Sequence, residues 1–201
     1  MFISRETLDD VLLALYPLLL ERSTDTVVAT RGETAEIIGA LIEIEQPRAR
    51  LSRSETRGKL FSSLGELLWY LSRDNRLDFI ERYVPRYRDE SEDGVRVYGG
   101  YGPRLFGQRG YDQVRNVIEL LGKGSTSRRA VIQIFCAEDI AAIQKEIPCT
   151  TTLQFFVRNE RLDMVTTMRS NDAYLGLPHD VFCFTMLQEI IARSLGLDIG
   201  V

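Results

Sequence analysis

Histidine is almost missing from this 201-residue chain, which has His179 alone. Lysine is scarce as well, at positions 59, 123 and 145, so arginine supplies most of the 25 basic residues. A single imidazole leaves no material for a His-based metal site or a Ser-His-Asp triad, and no metal is expected. The three cysteines, Cys136, Cys149 and Cys183, form no CxxC pair, which argues against a zinc site or a disulfide framework. No apolar run reaches the length of a bilayer span, so no membrane partner is expected. The opening MFISRETLDD carries acids where a secretion signal would be basic and then apolar. A reduced, cytoplasmic protein is the expectation. Asp and Glu outnumber Lys and Arg by 29 to 25, a net charge of −4. That balance argues against a nucleic-acid partner, because phosphate backbones call for a basic field. The arginine excess reads as compositional bias, so any claim must rest on individual arginines.

What is present is ordinary globular composition, 44% hydrophobic and 27% charged. Residues 9–21 read as an amphipathic helix that Pro17 should kink or end. Residues 35–45 are β-branched and roughly alternating, which predicts a strand. Residues 60–71 have helical apolar spacing. Residues 83–110, rich in Arg, Tyr, Gly and Pro, predict a long, partly irregular excursion. Residues 111–121 form a surface-helix pattern ended by Gly122, and residues 129–135 a strand. Two β-rich runs, 151–157 and 162–168, flank the polar Arg158-Asn159-Glu160-Arg161 and predict a hairpin. A helix follows over about 179–195, closed by Gly196. The expectation is an α+β fold in one domain, with helices packed on a mixed, largely antiparallel sheet. Residues 197–201 read as the approach to another strand, as though the domain continued past them.

Three places carry chemistry. Cys136 and Cys183 sit in apolar surroundings and read as small buried hydrophobes. Cys149 follows a rigid proline at a strand mouth, and nucleophile and buried hydrophobe are equally open there. Arg169, at the end of the second hairpin run, could lower its thiol pKa. The run Arg169-Ser170-Asn171-Asp172, then Leu175-Gly176-Leu177-Pro178-His179-Asp180, is a charged cluster before a Gly/Pro turn into a helix. Ser127-Arg128-Arg129, entering a strand, is a phosphate candidate.

Together these pieces resemble the thymidylate synthase family, which includes the dCMP and CMP hydroxymethylases. The resemblance rests on Pro148-Cys149, Arg169-Ser170-x-Asp172, Leu175-Gly176-Leu177-Pro178, Ser127-Arg128-Arg129, Glu66-Leu67-Leu68-Trp69 and Val97-Tyr98-Gly99. It covers most of the chain from about residue 31. It implies that Cys149 adds to pyrimidine C6, and that C5 then attacks a methylene carried by methylenetetrahydrofolate. Glu66 is implied as the catalytic glutamate of a proton-transfer network that Tyr98 joins. Arg169, Ser170 and Arg31 are implied as phosphate ligands. Arg128 and Arg129 would reach across a homodimer, and Asp172 would hydrogen-bond the folate's pterin. The family continues past Gly200 into a segment bearing a His and a Tyr, so the domain over residues 1–201 is expected to lack its C-terminal part.

One departure is informative. Where thymidylate synthases carry Asn after LGLPF, this chain has Asp180 after His179. An Asn amide answers both the N3–H and the O4 of uracil. An ionised Asp accepts from the N4–H of cytosine, with a proton shared at N3, and faces the lone pairs of uracil O4. On that reading Asp180 selects cytosine, and the resemblance then implies a hydroxymethylase in which water captures the exocyclic methylene. Ser170, Arg128 and Arg129 are retained, which leans towards dCMP over CMP. A thymidylate synthase methylating dUMP and a non-catalytic nucleotide-binding relative are the alternatives. His179 reads as space-filling, and the sequence offers no account of Thr150 beside the cysteine.

Overall fold

A computed structural model describes residues 1–21, 26–29, 32–52 and 59–201. Arg31 lies outside them. The amino-terminal part pairs β1 (Phe2–Arg5) in parallel with β4 (Leu41–Ile44), and α1 (Leu8–Glu21) packs beside them. The helix runs through Pro17, which is exposed, so the carbonyl it frees on the previous turn meets water. Residues 35–45 are not one strand. β2 (Thr26–Ala29) and β3 (Gly32–Ala35) form a hairpin, and a turn at Ile38-Gly39 separates β3 from β4. Gly39 holds φ at +69°, a conformation no continuous strand accommodates. Ile3, Leu8, Leu12 and Leu15 bury this part together with Leu177.

The larger core forms between a four-stranded sheet and the remaining helices. Its strands are β5 (Val131–Gln133), β6 (Thr150–Arg158), β7 (Arg161–Met168) and β8 (Asp198–Ile199), in that order. All pairs are antiparallel except β7–β8. Alternation explains the sheet's one buried face: Ile132, Leu153, Phe155 and Leu162 are fully buried, while Val131 and Val165 point out to solvent. Each buried side chain contributes about 1.5–3 kcal/mol. The hairpin turn is Asn159-Glu160, both at positive φ, which matches the twist of the strands it joins.

Helix α7 (Leu177–Ser194) packs on β7 and β8, and α2 (Lys59–Leu71) packs in turn on α7. Leu67, Trp69 and Tyr70 of α2 and Phe182, Phe184 and Ile191 of α7 are all in the core. Gly65 lets Tyr83 lie against α2: a Cβ there would sit 2.2 Å from the Tyr83 ring. After the short helix α3 (Leu77–Ile80), the excursion over 83–110 resolves into short helices α4 (Tyr87–Glu90) and α5 (Tyr101–Phe106) and a 3-10 turn at Gln108–Gly110. α6 (Gln113–Lys123) is N-capped by Asp112, whose carboxylate accepts the Arg115 N–H at 2.9 Å, and it ends at Gly124, one turn-half beyond Gly122. The residue 129–135 strand is shorter than its pattern: Val131–Gln133 alone pair with β6 in register, and Ala130, Ile134 and Phe135 add single bonds to it. Among the described residues, no helix is long and apolar enough to cross a membrane.

Candidate active site

The β6–β7 hairpin brings Cys149 and Arg169 to one end of the sheet. The Arg169 N–H donates to the Cys149 carbonyl at 2.9 Å. The Arg169 guanidinium donates from Nε to the Pro148 carbonyl at 2.9 Å and from Nη2 to the Ile147 carbonyl at 3.0 Å. Nη2 also lies 3.9 Å from the Cys149 sulfur. Arg169 therefore straps the loop that carries the thiol. Its positive charge does lower the thiol's pKa, but the net effect is the reverse of the expectation. Burial pushes the half-buried thiol up, and the Glu146 carboxylate adds to that more strongly than Arg169 opposes it. Cys136 and Cys183 are buried, as their surroundings predicted.

Glu66 projects from the buried side of α2 and is 7% exposed. Its Oε1 accepts hydroxyl hydrogen bonds from Tyr70 at 3.0 Å and from Tyr87 at 2.6 Å. Burial, then the Glu66 charge, push both phenols well above their usual range, so both remain donors. Tyr98 was expected in this network and is not one of these partners. Its hydroxyl pairs with Asp139, and its ring lies under the Arg104 guanidinium at 5.3 Å. Arg104 and Asp139 form a buried bidentate pair at 2.8 and 2.7 Å, which draws the phenol towards itself.

Asp180 sits in the first turn of α7, half-buried. Desolvation raises its pKa well above the carboxylate range, and the nearby Glu66 charge adds to the rise. Arg86 and a hydrogen bond with Asn171 act the other way without prevailing. The surroundings of Asp180 therefore shift it towards the protonated form, a direction that runs against the ionised carboxylate of the sequence reading. The Asp180 charge also acts on Cys149 and on Tyr101, so thiol, acid and phenol share one electrostatic neighbourhood. His179 does more than fill space. Nδ1 is 3.0 Å from the Leu175 carbonyl and Nε2 is 2.8 Å from the Ser62 hydroxyl. Since a carbonyl only accepts, Nδ1 carries the proton and Ser62 donates to Nε2. The ring thus ties α7 to α2 one turn from Glu66.

Asp172 is exposed and builds the turn into α7, accepting the N–H groups of Tyr174 at 2.8 Å and Leu175 at 2.7 Å. Gly176 is required there, because a Cβ would meet the Asn171 Oδ1 at 2.9 Å. Ser170 is exposed beside Arg169. Arg128 and Arg129 are exposed and far from this cluster. The Phe155 N–H donates to the Ala130 carbonyl, so the arginine pair lies beside the far part of β6. Six strand residues from Cys149 to Phe155 span roughly 20 Å. The site residues the sequence did not single out are Tyr70, Tyr87, Tyr101 and Glu146; Thr150 was noted there without an account. Only Tyr70 had a readable signal, its spacing of four from Glu66 on one helix. Among the described residues no cluster of three or more His, Cys, Asp or Glu could hold a metal ion.

A thiol at a strand mouth, two acids on facing helices and a carbonyl-bound arginine thus stand in one neighbourhood. The thymidylate synthase family model matches residues 21–201, and the chain belongs to that family. It is 28% identical over 171 residues to a deoxyuridylate hydroxymethyltransferase of Delftia phage PhiW-14, covering 78% of this chain and 47% of that protein. It is 34% identical over 144 residues to a deoxyuridylate hydroxymethyltransferase of Pseudomonas phage M6, covering 70% and 41%. A thymidylate synthase of Francisella tularensis subsp. holarctica is 29% identical over 157 residues, covering 69% and 56%. The chain therefore spans about half the length of these relatives. The fold is similar to that of T4 phage thymidylate synthase, with a TM-score of 0.61 and 24% identity over 69% of this chain and 54% of that one.

Enzymes of the thymidylate synthase family use methylenetetrahydrofolate as co-substrate. The residues present fit such a molecule. Asp172 offers an exposed carboxylate acceptor suited to the N–H edge of a pterin, and exposed Tyr174 and Leu175 beside it offer apolar contact.

Proposed function

We propose that this chain carries the catalytic centre of a pyrimidine-nucleotide hydroxymethylase, with dCMP as its preferred substrate. The observation that carries the reading is Asp180, a carboxyl whose burial favours its protonated form and which shares its surroundings with Glu66 and the Cys149 thiol. A neutral carboxyl presents one donor and one acceptor. Against cytosine, its O–H donates to N3 and its carbonyl oxygen accepts from N4–H. Against uracil, its oxygen accepts from N3–H and its O–H donates to O4. Both rings can pair with it, so the exclusion of uracil argued from an ionised Asp weakens. The preference that survives is chemical: cytosine N3 is a much stronger base than uracil O4 and holds the shared proton better.

In the proposed reaction the Cys149 thiol loses its proton and its sulfur bonds to C6, placing the electron pair at C5. The folate would supply a one-carbon unit at the oxidation level of formaldehyde: C5 bonds to that carbon, and its bond to the folate nitrogen breaks as tetrahydrofolate leaves. Glu66, held by Tyr70 and Tyr87, keeps its second oxygen for a water that carries the C5 proton away. Water then adds to the exocyclic carbon, and departure of the sulfur restores the ring. Arg169 and Ser170 would meet the phosphate in this subunit. Arg128 and Arg129, some 20 Å from the thiol along the strand, would meet the phosphate of a partner's site in a homodimer. Retention of Ser170 and both arginines favours a deoxyribose nucleotide.

Tritium release from C5-labelled dCMP, CMP and dUMP in the presence of methylenetetrahydrofolate, with the mass of each product, tests the reading. It expects dCMP to be turned over fastest and to gain a hydroxymethyl group. Faster turnover of dUMP would overturn the cytosine preference. dUMP hydroxymethylation is the second reading, favoured by the ability of a neutral Asp180 to pair with uracil and by the names of the two phage relatives. Mixing inactive Cys149→Ala with inactive Arg129→Ala protein tests the dimer: shared sites restore part of the activity.

A further inference from the structure

Thr150 follows Cys149 directly and is fully buried. Its N–H donates to the Tyr101 hydroxyl at 3.1 Å, and that hydroxyl donates to Thr150 Oγ1 at 3.0 Å. The register around it is irregular. Thr150 faces Met168 while Thr152 faces Thr167, so Thr151 is an extra residue, a β-bulge. A bulge frees backbone groups from the ladder and re-aims the side chains before it. Backbone groups on either side of it have these partners. The Thr151 carbonyl accepts the N–H groups of Ile134 at 2.9 Å and Phe135 at 3.2 Å, and the Cys149 carbonyl accepts the Arg169 N–H. The Thr150 N–H, buried and pointing away from β7, goes to Tyr101.

Tyr101 is itself fixed. Its ring lies between Tyr70, at 5.0 Å and 27°, and Phe184, at 6.2 Å and 4°. Tyr70 is the residue that binds Glu66. One aromatic stack therefore reaches the peptide beside the thiol at one end and the catalytic glutamate candidate at the other. Gly99 lets the preceding segment close on the same loop, since a Cβ would meet Glu146 Cγ at 3.2 Å and the Ile147 backbone at 3.3 Å.

We infer that Tyr101 is the positioning residue of the nucleophile: by binding both the N–H and the hydroxyl of Thr150 it holds the bulge that aims the Cys149 sulfur. The inference rests on the reading of Cys149 as nucleophile and goes beyond it, because it assigns Tyr101 and Thr150 a shared task. The charges that act on the sulfur are Glu146, Arg169, Asp180 and Glu90. A released bulge moves the sulfur relative to all four and towards water, so its titration must move with it.

The test compares Tyr101→Phe, Thr150→Val and Thr150→Ser with the parent protein. Two measurements are made: steady-state kinetics with dCMP and dUMP, and iodoacetamide alkylation of Cys149 against pH, followed by peptide mass. Tyr101→Phe keeps the aromatic stack and removes both bonds. It is expected to lower kcat about 10²-fold, the cost of a misplaced reacting group, with KM for the nucleotide nearly unchanged. The alkylation midpoint should fall towards that of a free thiol. Thr150→Val, which keeps the N–H bond, should give a smaller effect in the same direction, and Thr150→Ser should restore parent values. Unchanged kcat and an unchanged midpoint in Tyr101→Phe would overturn the inference, as would a loss of melting temperature without a midpoint shift. If the parent turns over no nucleotide, the functional proposal fails by itself, and the alkylation midpoints alone decide this one.

Discussion

The two ends of the β6–β7 hairpin are built from one sequence pattern and held by different means. At the Asn159-Glu160 end the ladder is regular, each strand residue finds its partner, and β8 adds in parallel alongside. At the Cys149 end the register slips by one residue. Backbone groups around the slip bond to a tyrosine hydroxyl, to backbone N–H groups of residues 134 and 135, and to the Arg169 N–H and guanidinium. The regular end could be replaced by any good turn. The irregular end depends on residues 49 and 20 positions away in the chain. Polar networks of this kind stabilise little more than a plain ladder, and each unsatisfied member costs about 1–3 kcal/mol. Their placement where the thiol, Glu66 and Asp180 converge marks that end as the place where geometry is specified.

The comparison breaks most sharply at the thiol. Cys149→Ser retains shape and removes the reactive sulfur. Loss of turnover by at least about 10⁴-fold is expected, with the melting temperature little changed. A variant that keeps a tenth of the parent rate would end the nucleophile assignment. Asp180→Asn comes next. Asn suits uracil, its oxygen accepting N3–H and its NH₂ donating to O4; against cytosine it can donate only an amide N–H to N3 and has no acidic proton to share there. The dCMP-to-dUMP ratio of kcat/KM should fall by on the order of 10³-fold, measured by parallel tritium release. An unchanged ratio would show that the base edge is read elsewhere.

The buried pair of Arg104 and Asp139 supports the same end from beneath. Their side chains are 11% and 1% exposed. Burial raises the Asp139 pKa, but Arg104, the Cys136 N–H and Tyr98 together bring it below its usual 3.8. The folded state thus binds that proton less tightly than the unfolded one. The stability it contributes is present above about pH 4 and is lost as pH falls through the lowered value. Arg104→Met leaves a buried carboxylate without its ion-pair partner and should cost about 3–5 kcal/mol in urea unfolding at pH 7. The cost should shrink at acid pH, where Asp139 is protonated. A pH-independent difference would mean that packing, not charge, accounts for it.

The difference between the ends also decides what the sequence could reveal. The hairpin, α2 and α7 follow from local spacing of apolar residues, and the Leu175–Pro178 turn from its Gly and Pro. Gly39 interrupts the residue 35–45 pattern through one positive φ, which alternation alone does not register. The pairing of Glu66 with Tyr70 was readable from helix geometry. Its pairing with Tyr87 was not, because the two lie on elements joined only through the core. Tyr98 pointed to the right segment and the wrong partner, since the pull of Arg104 and Asp139 is a tertiary property. The likeliest-looking cation, Arg169, could be placed beside Cys149 by counting, yet the outcome for the thiol depends on burial and on Glu146, which counting does not weigh.

The smallest expected effect lies at the regular end. Glu160 holds φ at +59° and Asn159 at +49°. Asn tolerates that region through its short polar side chain, whereas the Glu160 Cβ crowds its following carbonyl. Glu160→Gly removes that crowding at the second position of the turn, where glycine is favoured. A gain of about 0.5–1 kcal/mol is expected from urea unfolding, partly offset by the greater freedom of glycine in the unfolded chain. Turnover should stay as it is, because roughly 20 Å or more of strand separates this turn from Cys149. A change in kcat without a change in stability would mean that the two ends are mechanically coupled through the ladder, and that the irregular end is not independently held by its side chains.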